Sequence, residues 1–167
     1  MNEQPAFHEP VLVKEVLQTL APRPGQWILD ANLGQGGHAL QILSRMGEEG
    51  LLVGIDCDPK MLATARRRFE EAAVPRSRYR LVEADHAQLA TVLAEVLATA
   101  PVPADVPALD AVLFDLGPST PQLLDPARGM SWESDLALDM RLRQAGTGPT
   151  AGEIVSAWPE EDLARLF

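Results

Sequence analysis

Apolar residues along this chain alternate between two periods. Val11, Leu12, Val16, Leu17 and Leu20 recur at helical spacing until Pro22 and Pro24 interrupt, which predicts a helix over residues 9–21. Trp27–Leu29 follows as a short buried strand. From Gly37, the run of His38, Ala39, Leu40, Ile42 and Leu43 marks a second helix that ends near Gly47 and Gly50. LLVGID (Leu51–Asp56) is an unbroken apolar strand closed by an acid. Pro59 stands where the first turn of a helix tolerates it, and Met61, Leu62, Ala65 and Phe69 mark the inner face of that helix. YRLVEAD (Tyr79–Asp85) reads as a third strand, Leu89–Leu97 as a helix and LDAVLFDLG (Leu109–Gly117) as a fourth strand. Pro101, Pro103 and Pro107 form a linker. TAGEIVSAW and PEEDLARLF predict two closing helices.

Strand–helix alternation of this kind argues for right-handed βαβ units and a parallel sheet with helices on both faces. Strands one, two and four end in Asp30, Asp56 and Asp115, and the third is followed at once by Asp85. Ligands bind open parallel sheets outside the carboxyl ends of the strands, so these four acids are expected to border one crevice. Aspartate is also a common turn former and helix cap, which offers a purely structural reading of each.

The stretch WILDANLGQGGHAL carries the glycine turn between the first strand and the second helix. Gly34, Gly36 and Ala39 satisfy the dinucleotide pattern G-x-G-x-x-G/A, with Asp56 at the distance where an acid meets a ribose hydroxyl. A phosphate loop of the Walker type is excluded, because no Lys-Ser/Thr pair follows the glycines. A nicotinamide or flavin dinucleotide and S-adenosylmethionine both remain compatible, as does a turn that needs glycine only for its backbone angles.

The 167 residues, 46% of them apolar, are enough for one sizeable core, and the single Cys57 excludes an internal disulfide. Neither a secretory leader nor an apolar run of membrane-spanning length is visible, so a soluble cytoplasmic protein is expected. Cys57 lies between two aspartates with no cation near it in sequence and reads as a packing residue. The formal charge of −10 means that attraction to a polyanion must come from local basic patches. Two are candidates: Arg66, Arg67 and Arg68 with Arg76, Arg78 and Arg80, which also fit a solvated helix face, and Arg128, Arg141 and Arg143. The latter could meet phosphates or pair with Asp125, Glu133, Asp135 and Asp139.

HEPVLVKEVLQTL, DANLGQGGHA, GIDCDP, FDLGPSTPQLLDPARGMSW and LALDMRL, in this order and spacing, resemble the bacterial small-subunit rRNA (cytosine-N4)-methyltransferase family. The likeness runs from about His8 to the last residue and matches the first half of that family. It implies a class I S-adenosylmethionine-dependent, Rossmann-like α/β fold with strands in the order 3-2-1-4, a methyltransferase core over residues 1–142 and the start of a helical insertion over 143–167. It implies S-adenosylmethionine in the glycine turn and small-subunit rRNA as substrate. Cofactor contacts carry over to Gly36, Gly37, His38, Asp56, His86, Asp115 and Gln122, with Gly34 and Asp85 beside them. No metal site is implied.

Glycines in such a turn let the backbone approach the methionyl part of the cofactor, where a side chain would collide. Asp56 suits the paired ribose hydroxyls. His86 stands where the family commonly has phenylalanine, and could stack on adenine. Asn32, Gln35, Pro118 and Thr120 are further departures, of which Pro118 stiffens the loop expected to receive the base. Asp115 is the candidate catalytic residue, either accepting a hydrogen bond from the cytosine amine or orienting the cofactor. With the fourth strand as a sheet edge, self-association through that strand or the C-terminal helices is expected.

Overall fold

The computed structural model describes residues 10–99, 109–132, 135–144 and 146–166. The linker prolines 101, 103 and 107 and Glu133 lie outside these residues. Contacts gather the chain into two compact units, Met1–Leu116 and Gly117–Phe167. This division falls earlier than the 142/143 boundary read from the sequence.

In the first unit, β1 (Trp27–Asp30), β2 (Leu51–Asp56), β3 (Tyr79–Glu83) and β4 (Ala111–Leu113) form one parallel sheet in the order β3-β2-β1-β4. Leu29 is paired with Val53 on one side and Val112 on the other. The helices are α1 (Val13–Leu20), α2 (Gly37–Arg45), α3 (Pro59–Glu71) and α4 (Leu89–Thr99).

Side chains alternate across the central strands, as a period of two requires. Ile28 and Leu52 point to the face covered by Leu17 of α1, Ala39, Ile42 and Leu43 of α2, and Leu62, Ala65 and Phe69 of α3. Trp27, Leu29, Leu51, Val53 and Ile55 point to the other face and meet Val92 and Val96 of α4. A strand covered on both faces reads as a continuous apolar run, which is why β1 and β2 were legible. The four residues expected on the inner face of α3 are its buried ones. Asp58 caps that helix by accepting the Lys60 N–H at 2.9 Å, with Pro59 in the first turn.

Three sequence expectations are corrected. The first helix begins at Val13, because Leu12 adopts a left-handed conformation with φ 54°. The third strand ends at Glu83. Asp85, two residues further on, accepts the Ala87 N–H at 2.8 Å while Gln88 Oε1 accepts the Asp85 N–H at 3.0 Å, so Asp85 caps a 3-10 turn (His86–Gln88). The fourth strand is only three residues long, because its register runs out where Asp30 pairs with Leu113. Phe114 and Asp115 therefore lie beyond the strand.

The second unit contains α5 (Thr120–Leu124), α6 (Ala151–Ala157) and α7 (Glu160–Ala164). Arg128 is buried there. Its guanidinium donates to the Leu142 carbonyl at 2.8 Å and lies 3.7 Å from Asp125. Arg141 donates to both oxygens of Asp139, at 2.7 and 2.9 Å, and to the carbonyls of Gly146 and Gly148. These bonds hold the Asp139 carboxyl down to about 2. Arg128 and Arg141 thus organise an irregular segment from within, taking the local pairing the sequence allowed.

Candidate functional site at the carboxyl edge of the sheet

The turn after β1 is fastened at four points. The Ala31 N–H donates to the Leu113 carbonyl at 2.9 Å, and the Leu33 N–H to the Ile55 carbonyl at 2.9 Å. The Gly34 N–H donates to Asp56 Oδ2 at 2.8 Å, and the Asn32 N–H to Asp30 Oδ1 at 3.2 Å. Leu33 fills the space a side chain on Gly54 would take, where a Cβ would lie 2.7 Å from Leu33 Cδ1. Glycine in β2 thereby lets the turn pack down onto the sheet.

The turn's glycines have different reasons. Gly36 has φ 74°, and a Cβ there would sit 2.8 Å from Phe69 Cε1 and 3.1 Å from Ala65 Cβ. A Cβ on Gly37 would meet Pro10 at 2.9 Å. Both are therefore required by the protein's own packing. Gly34, with φ 52°, is different: its Cβ would meet only the Asn32 carbonyl, at 4.0 Å. The sequence could not separate these cases, because the neighbours come from other segments.

His38, in the first turn of α2, is buried, with Nε2 3.6 Å from Oδ2 of the half-exposed Asp115. Burial lowers its pKa, and the Asp115 charge opposes that shift. Its Nδ1 is buried without a hydrogen-bond partner among the described residues, as is Asn32 Oδ1. His86 reaches across from β3 to the end of β1, where its Nε2 lies 3.0 Å from the Ala31 carbonyl. A carbonyl only accepts, so that contact places the ring proton on Nε2. The His86 ring also meets Phe114 edge to face, with centroids 5.8 Å apart at 74°. Phe114 was not foreseen, because this contact joins the turns after β3 and β4.

Of the four strand-end acids, Asp56 and Asp115 stand at the rim and Asp85 is a cap. Asp30 is almost fully buried. Burial, and secondarily the charges of Asp115 and Asp56, push its carboxyl up to about 7 against the lowering effect of the Asn32 N–H. Cys57 is half-buried, and burial with the neighbouring Asp56 charge raises its pKa, which disfavours a reactive thiolate. In the second unit, Gln122 is buried, and its Oε1 accepts the Ser119 N–H at 2.9 Å in a cap of α5. No described helix is long and apolar enough to cross a membrane.

Gathered in one unit are thus a glycine turn with one open position, two buried polar atoms without a partner among the described residues, and the rim carboxylates Asp56 and Asp115. An open backbone suits close approach by a ligand, and the carboxylates suit one carrying cationic groups. This donor set fits S-adenosylmethionine, whose sulfonium and amino groups are positive.

The sequence matches the MraW methylase family over residues 5–167. It is 38% identical to Ribosomal RNA small subunit methyltransferase H of Syntrophotalea carbinolica over 167 residues, all of this chain and 49% of that protein. It is 40% identical to the protein of the same name from Geotalea uraniireducens over 160 residues, 96% of this chain and 47% of that one. The chain spans about half the length of these curated relatives.

Proposed function

The chain belongs to the MraW methylase family, and we propose that it forms the cofactor-binding part of an S-adenosylmethionine-dependent methyltransferase acting on the N4 amine of a cytidine in small-subunit rRNA. The observation that carries this reading is the open Gly34 position, held by the same Asp56 that faces the rim. Family membership sets aside the dinucleotide oxidoreductase that the glycines alone allowed. Cytoplasmic action accords with an rRNA substrate.

When bound, S-adenosylmethionine would supply an electrophilic methyl on a good leaving group. The protein's own contribution is largely positioning, which in well-oriented reactions is worth up to about 7–11 kcal/mol. Asp56 would take the ribose hydroxyls as a hydrogen-bond acceptor, each carboxylate oxygen offering more than one lone pair. Gly34 admits the methionyl backbone. Gly36, Gly37 and Asp85 shape the pocket wall, and the Phe114–His86 pair offers a ring surface to a base. Asp115 would accept a hydrogen bond from the cytosine amine and so orient it, while His38, 3.6 Å away, restrains the carboxylate. Exposing a base from structured RNA costs a few kcal/mol and adds to the work of binding.

Calorimetric titration of the chain with S-adenosylhomocysteine and, separately, NADH tests the cofactor. Saturable binding of the first and none of the second is expected; the reverse defeats the reading. Transfer of labelled methyl to small-subunit rRNA, followed by nucleoside analysis, tests the product. Label recovered in any nucleoside but N4-methylcytidine rejects the cytosine amine as target.

A further inference from the structure

The arginine clusters conspicuous in the sequence are largely engaged within the protein. Arg67 pairs with Glu71 and Arg76 with Glu70. Arg78 donates to the carbonyls of Leu43 and Gly50, and Arg80 to those of Arg76 and Tyr79. Arg128 and Arg141 are committed inside the second unit. Elsewhere, α1 and α2 leave a groove of about 850 Å³ between them, with Leu17 at its base and Lys14, Gln18, Arg23, Gln41 and Arg45 along its walls. All five polar side chains are exposed, and no carboxylate of the described residues lines the groove. The side chains of Lys14, Arg23 and Arg45 form no ion pair or hydrogen bond with the described residues. The neighbouring acids Glu15, Glu48 and Glu49 stand outside the lining.

We propose that this groove holds the phosphodiester backbone of the RNA substrate, an inference that rests on the rRNA-methylating reading above. In a chain of net charge −10, three uncompensated cations along one groove create a local positive field that the whole molecule lacks. Arginine matches phosphate in bidentate geometry, lysine adds a mobile point charge, and the two glutamine amides suit sugar and phosphate oxygens. The α2 backbone runs about 13 Å from the glycine turn to Arg45, at ~1.5 Å per residue. The groove therefore extends away from the cofactor turn and grips RNA flanking the modified base, with no sequence readout of its own.

The test is fluorescence anisotropy of the intact chain with a labelled hairpin of small-subunit rRNA and a scrambled RNA of equal length, across a salt series. Lys14→Glu, Arg23→Glu and Arg45→Glu are each expected to weaken both RNAs about tenfold at low salt and to flatten the salt slope by about 1. Arg66→Glu, which changes net charge equally on α3, is expected to leave both quantities near wild type. S-adenosylhomocysteine affinity should not change in any variant. Equal weakening by Arg66→Glu, an unchanged slope, absence of RNA binding by the wild-type chain, or stronger groove-dependent binding to phosphatidylglycerol vesicles than to RNA each overturns the proposal. Groove-dependent RNA binding without any S-adenosylhomocysteine binding would sustain the groove and reject the methyltransferase reading.

Discussion

Oδ2 of Asp56 accepts the N–H of Gly34 at 2.8 Å, so the acid that ends β2 also holds the turn that follows β1. Oδ1 of the same carboxylate takes the Asp58 N–H at 2.9 Å. Asp56→Ala removes both acceptors and is expected to cost about 1–3 kcal/mol of stability. It should also weaken S-adenosylhomocysteine binding by on the order of 1–3 kcal/mol, since charge-assisted bonds are lost. Urea unfolding and calorimetric titration of one preparation separate the effects. Undiminished affinity in the folded variant would remove Asp56 from the ribose.

Gly36 is held by α3. A valine there meets the Phe69 ring and must adopt φ 74°, so Gly36→Val is expected to destabilise the whole unit by about 2–4 kcal/mol, from left-handed strain and overpacking together. Gly34→Ala meets no such obstacle, and its cost to folding should be about 1–2 kcal/mol from backbone strain alone, with a larger relative loss of cofactor affinity. Thermal unfolding of both variants decides this. Equal destabilisation would contradict the distinction between a packing glycine and an approach glycine.

The buried Asp30 carboxyl makes stability fall as pH rises. Its pKa is 3.8 when unfolded and about 7 when folded, so the folded chain binds more protons throughout that interval. Asp30 contributes no penalty below the interval, a growing one within it and a constant one above. Asp30→Asn keeps an acceptor for the Asn32 N–H and is expected to stabilise the protein by on the order of 2–4 kcal/mol above neutrality, but little at acid pH. Denaturant unfolding of both proteins at a series of pH values reads the difference. A constant difference across the interval would mean that Asp30 is ionised in the folded chain.

Among the described residues β4 pairs only with β1, and Val112 and Phe114 are exposed near that edge. Unpaired strand edges template association. The chain is expected to self-associate through β4, and Val112→Lys to shift it toward monomer in sedimentation velocity. A wild-type chain that stays monomeric over a hundredfold concentration range would refute this.

The alternation of periods was legible because each apolar residue reports its own element's geometry. Leu51–Asp56 needs no neighbour to read as a buried strand, and Met61, Leu62, Ala65 and Phe69 need none to read as one helix face. The reading failed where a boundary depends on a partner. Nothing in LDAVLFDLG marks the point at which β1 stops offering hydrogen bonds, so Phe114 and Asp115 read as strand. Likewise Asp85 belongs to a cap that only the conformation of the following turn reveals.

The sequence by itself determined the strand–helix alternation, the helix faces and the glycine turn with acids at its margins, since these follow from local spacing; the strand order came with the family resemblance. Tertiary structure alone decided which acid is buried, which glycine stands open and which arginines remain uncompensated. Asp30, Asp56, Asp85 and Asp115 look alike in sequence, and so do Gly34 and Gly36. They differ by what distant segments place against them: desolvation of Asp30 between covered faces, the Phe69 ring against Gly36, and nearby carbonyls and carboxylates for the arginines, but not for Lys14, Arg23 and Arg45 in the α1–α2 groove. Charge and contact depend on distance in space, which the order of residues does not specify.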